Sequence, residues 1–139
     1  MSRVILALSG LVLFSACKSD EEKADELYND YLDAICRLYS DPTCVSNMED
    51  TCPVAISFDS AADCVSFFIL FSDPACDLGA VMLENQDAAE ACIDSIESFD
   101  CASEDMCDAE GGMAPEAGDC ADVSAALAQA CPTGTDTGT

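Results

Sequence analysis

The chain contains no histidine and only four cationic residues, Arg3, Lys18, Lys23 and Arg37, against 28 carboxylates in 139 residues. Without histidine, the Ser/His/Asp and Cys/His arrangements of nucleophilic catalysis are excluded. Also missing are Gly-x-Ser-x-Gly, phosphate-binding and dinucleotide-binding glycine patterns. There is no Cys-x-x-Cys pair, so the close-spaced ligands of a structural zinc site are lacking. Scarce positive charge excludes nucleic acid as a partner, because binding requires cationic neutralisation of phosphate. Large apolar side chains are few as well: from Cys17 onward, Leu, Ile, Val and Phe number 22 of 123 residues. A chain this charged and this poor in them needs something besides a core to offset its conformational entropy. The run from Val4 to Phe14, interrupted only by Ser9 and Gly10, spans 11 residues, well short of the roughly 20 that cross a bilayer as a helix.

What is present begins with that run. Arg3 ahead of it and Lys18-Ser19-Asp20-Glu21-Glu22 behind it make the pattern of an export signal. An ordinary signal peptidase prefers small residues at −3 and −1, and cutting before Cys17 would place Phe14 at −3. Leu13-Phe14-Ser15-Ala16-Cys17 instead resembles the lipobox of bacterial lipoproteins, with Phe14 where Leu is commonest. The resemblance covers residues 1–17 and implies a diacylglycerol thioether on Cys17, cleavage before it and acylation of the new amine. It implies removal of residues 1–16, which leaves a cysteine-rich acidic helical domain at 17–131; by its low-complexity composition the Thr/Gly/Asp tail at 132–139 is expected to be disordered. The resemblance also implies a membrane partner through the lipid on Cys17, and a location in the cell envelope or at the surface of a bacterium. Several acyl chains would anchor stably where a single one is marginal.

Setting Cys17 aside leaves an even ten cysteines: Cys36, Cys44, Cys52, Cys64, Cys76, Cys92, Cys101, Cys107, Cys120 and Cys131. In an oxidising compartment these are expected to form five disulfides, each contributing about 2–4 kcal/mol. Carboxylates beside Cys64, Cys76, Cys101, Cys107 and Cys120 disfavour thiolate and therefore redox chemistry. Ten cysteines join in about 945 ways, extending the count for eight. Cys120–Cys131 is excluded among them if residues 120–130 form a helix, since their separation along it, about 16 Å, exceeds disulfide reach.

The expected fold is all-α: a small disulfide-stapled domain of about four helices with irregular loops and a short extended segment at 54–58. Ser19-Asp20-Glu21-Glu22 is a capping box, followed by Leu27, Tyr31, Ile35 and Leu38 at helical spacing, with Asp41-Pro42 as the stop. The tyrosines share the leucine face and are read as core. Residues 44–53 read as loop. Asp59-Ser60 offers a cap for a helix through Cys64 to Phe71, whose unbroken apolar stretch reads as a central buried helix, with an exposed aromatic patch as the functional alternative. Residues 78–83 fit a helical turn or two. Asp87 is expected to cap a helix carrying Ala89, Cys92, Ile93, Ile96 and Phe99, and Asp119 a last helix from Cys120 to Ala130.

Between Asp100 and Asp119 the chain is acidic and loop-like, and Asp100, Glu104, Asp105, Asp108 and Glu110 are candidate ligands for Ca²⁺, although the spacing of an EF-hand is absent. Otherwise no cofactor is expected. The functional reading is a lipid-anchored, non-catalytic envelope protein, structural or partner-binding, whose acidic face meets a basic protein or ligand. The alternatives are a divalent-cation or small-ligand module and, less favoured, a disulfide-rich protease inhibitor.

Overall fold

The computed structural model describes residues 17–109, 111 and 118–131. The expected signal at 1–16, the tail at 132–139, and Glu110 among the candidate ligands lie outside them. Helix α1 (Asp20–Ser40) opens on the capping box: the Ser19 hydroxyl accepts from the Glu22 N–H at 3.2 Å while the Glu22 carboxylate accepts from the Ser19 N–H at 2.9 Å. Its apolar stripe buries Ala24, Leu27, Leu32, Ala34, Ile35, Cys36 and Leu38, and Tyr28, Tyr31 and Tyr39 pack half-buried against the same core.

Asp41 ends α1 and starts α2 (Pro42–Thr51). Its carboxylate accepts from the N–H groups of Thr43 and Cys44 at 2.9 and 3.1 Å, and Pro42 occupies the first helical position, where its missing N–H costs nothing. The expectation of a loop at 44–53 is corrected for that reason, since the pair that stops one helix also initiates the next. The segment 54–58 contains no strand; it is a connection whose Phe58 N–H donates to the Tyr39 carbonyl at 2.9 Å.

Helix α3 (Ala61–Phe71) is capped by Ser60, whose hydroxyl accepts from the Asp63 N–H at 3.1 Å. It is a helix as expected, but not a buried one. Cys64 is its one buried residue, whereas Leu70 and Phe71 are 80% and 75% exposed. Only the stripe through Cys64 and Phe68 reaches the core, because the principal helix packed against α3 is α1. Helix α4 (Leu78–Glu84) starts on the Asp77 carboxylate, which accepts from the Ala80 N–H at 2.9 Å. Gly79 permits its close approach to α1, as a Cβ there would lie 2.8 Å from the Ala24 carbonyl oxygen.

Helix α5 (Gln86–Glu97) begins at Asn85 with no side-chain cap bond, so Asp87 sits in the first turn instead of capping it. Likewise Asp119 lies within a 3₁₀ turn at Gly118–Cys120, and α6 (Ala121–Ala130) follows with Cys120 as its N-cap. The described residues therefore hold six α-helices where about four were expected.

The hub is α1, which packs against α2, α3, α4 and α5, while α6 closes the far side on α4 and α5. Arg37, near its C-terminus, donates to the Ile96 and Glu97 carbonyls at 2.9 and 3.1 Å, satisfying the end of the α5 helix with a cation. Met48, Met82 and Met106 are each 1% exposed or less and fill the centre, a use suited to an unbranched, adaptable side chain.

Five disulfides tie this frame: Cys36–Cys64, Cys44–Cys101, Cys52–Cys107, Cys76–Cys131 and Cys92–Cys120. Each spans 28 to 57 residues, and Cys120 and Cys131 join different partners, as their separation along α6 requires.

Candidate interaction surfaces

Three polar surfaces and one apolar face carry the residues that function would use. The first is Cys17, the one cysteine outside a disulfide, which is exposed and precedes the capping box by a single residue. Lys18 turns back along α1 to pair with Glu26 at 2.7 Å, and that contact raises the Lys18 pKa. Cys17 thereby lines a shallow hollow with Glu22, Asp25, Glu26 and Asn29.

The second surface is a groove of about 460 Å³ between α1 and α5. Leu27 and Ile93 form its floor, and Glu26, Asp30, Glu90, Asp94 and Glu97 its walls. The two helices run in the same direction, with Lys23 and Gln86 at one end and Arg37 against the last turn of α5 at the other. The three cations among the described residues are already engaged: Lys18 with Glu26, Lys23 with Asp20 at 3.7 Å, and Arg37 with backbone carbonyls. Most of the groove's negative charge is left without an internal counterion, so its field favours a cationic visitor.

The third is the 100–108 segment, which contains four of the five candidate Ca²⁺ ligands. The Asp100 carboxylate caps a turn, accepting from the Ala102 N–H at 3.0 Å and the Ser103 hydroxyl at 2.8 Å; these bonds hold its pKa below the ordinary carboxylate range. Glu104 accepts from the Asp100 N–H at 3.3 Å, and Asp105 is exposed. Among the described residues, no three His, Cys, Asp or Glu side chains converge on a common point.

The segment is held from α2 by Asn47, a residue that sequence patterning passes over. Its amide donates to the Cys101 and Glu104 carbonyls at 2.9 and 2.8 Å, and its carbonyl accepts from the Met106 N–H at 2.8 Å. No sequence motif marks that role.

Apart from these polar regions, α3 presents Phe67, Ile69, Leu70 and Phe71 outward. The Phe67 ring lies 4.5 Å from Phe71 and 5.3 Å from Phe58, so the aromatics are contiguous. No described helix is long and apolar enough to cross a membrane. Family models, curated proteins and solved structures yield no match to the chain.

Proposed function

We propose that this is a lipid-anchored, acidic, cysteine-rich protein of a bacterial envelope, with a structural or partner-binding role and no catalytic one. The observation that carries the reading is the status of Cys17: ten cysteines close five bridges, and the one left over is exposed directly behind Leu13-Phe14-Ser15-Ala16. The acidic α1/α5 groove supports a basic partner, since its carboxylates outnumber the cations available to them. Substitution Cys17→Ser tests the anchor. The wild-type product is expected to carry the acyl mass and fractionate with membranes, and the variant to lose both. A membrane-bound variant of unmodified precursor mass would overturn the reading.

A further inference from the structure

We propose that the outward face of α3 is a second membrane contact, resting on the bilayer surface beside the acylated Cys17; the inference builds on the lipid-anchor reading above. α3 runs antiparallel to α1. Its first turn is joined to the C-terminal part of α1 by Cys36–Cys64, with Cα atoms 5.5 Å apart, and just past its end Ser72 lines a small hollow together with Tyr28 of α1. Tyr28 lies about 12 Å along α1 from its first residue. Asp25, one turn away, lines both the hollow containing Cys17 and the smaller one containing Ser72. The anchor and the exposed end of α3 therefore occupy neighbouring faces of the same stretch of α1.

The chemistry of the face fits lipid. Residues Cys64 through Ser72 carry no charge, in a chain of net charge −24. At roughly 200 Å² for a large apolar side chain, the exposed fractions of Phe67, Ile69, Leu70 and Phe71 (42%, 51%, 80% and 75%) give about 500 Å² of apolar surface, in the upper part of the range of a monomer's largest patch, which is often functional. A second copy is the weaker occupant. Two such faces bury about 1,000 Å², the floor for a specific interface, and bring together two strongly acidic molecules. A bilayer needs no matching face, and the anchor makes contact intramolecular, at high effective concentration. Apolar side chains buried at the headgroup boundary add to the affinity that a lipid anchor supplies, in proportion to the area they bury.

The chain contains no tryptophan, so Phe71→Trp is a unique fluorescent reporter, and Ala102→Trp, on the exposed turn held by α2, is its control. Each full-length variant is expressed in a bacterial host, its acyl mass measured, and the protein reconstituted into phosphatidylcholine vesicles with brominated acyl chains. The expected result is blue-shifted emission from Phe71→Trp, quenched several-fold more strongly than Ala102→Trp. Equal weak quenching of both, with acyl mass present on Cys17, overturns the membrane contact and leaves the anchor standing. Lipid-free Cys17→Ser/Phe71→Trp protein whose emission shifts with protein concentration points to a second copy and overturns it too. A product with no acyl mass and no vesicle association removes both readings.

Discussion

Cys36–Cys64 and Cys92–Cys120 close loops of the same length, 28 residues, and all four sulfurs sit in residues 1% exposed or less. A chain-entropy argument assigns each bond the same contribution, about 3.6 kcal/mol at 25 °C. The structure assigns them different consequences. Cys92–Cys120 links α5 to the turn that begins α6, where Ile93, Ile96, Met82 and Val123 share the core, so Cys92→Ala/Cys120→Ala loosens the whole domain. For the 108 described residues a loss of that size lowers Tm by roughly 16 °C. Cys36–Cys64 instead tethers α3, whose other core contact is the half-buried Phe68, worth at most about 3 kcal/mol. A helix of 11 residues is marginal alone in water. Cys36→Ala/Cys64→Ala is therefore expected to release α3 while α1, α4 and α5 stay folded. Hydrogen exchange read by mass spectrometry distinguishes the cases: amides of 61–71 should exchange at nearly the unprotected rate in the first variant, and protection should fall everywhere in the second. Equal loss of protection across the molecule in both variants would refute the reasoning.

Asn47→Leu removes three bonds to backbone groups of the 100–106 segment; at about 1 kcal/mol each, a destabilisation near 3 kcal/mol is expected in urea melts, with faster exchange at 101–106. Gly79→Ala places a Cβ 2.8 Å from the Ala24 carbonyl oxygen, against backbone that cannot swing aside, so α4 must shift from α1 at a cost of about 1–3 kcal/mol, read as a lower urea midpoint. The Asp100 carboxyl, held below its usual pKa by Ser103 and the Ala102 N–H, stabilises the fold fully above its unfolded value of about 3.9. That contribution disappears as pH falls through the lower folded value, so Asp100→Asn should lower Tm at pH 7 and flatten this part of the acid limb in thermal melts across pH.

The sequence by itself determined the features that are local or can be counted. The caps at Ser19 and Ser60 are legible because each hydroxyl accepts from the N–H three residues on, with the acid there bonding back to the Ser19 N–H or to the Ser60 hydroxyl, without any tertiary contact. Ten cysteines beside one odd Cys17 predict five bridges by parity, and the tyrosines of α1 read as core because they share a periodic face with leucines. Only the tertiary structure decided the rest. Disulfide pairing depends on which helices become neighbours, a long-range outcome that no spacing encodes. Val65 to Phe71 is apolar on nearly every side, so it carries no signal for which face turns inward, and α1 together with Phe58 selects the stripe through Cys64 and Phe68. Asp41-Pro42 suits a stop and a start equally well, and α2 forms because its residues find the 100–107 segment, through Asn47 and two disulfides, to pack against. The buried methionines at 48, 82 and 106 were equally silent, since an unbranched side chain fills whatever irregular space the packed helices leave.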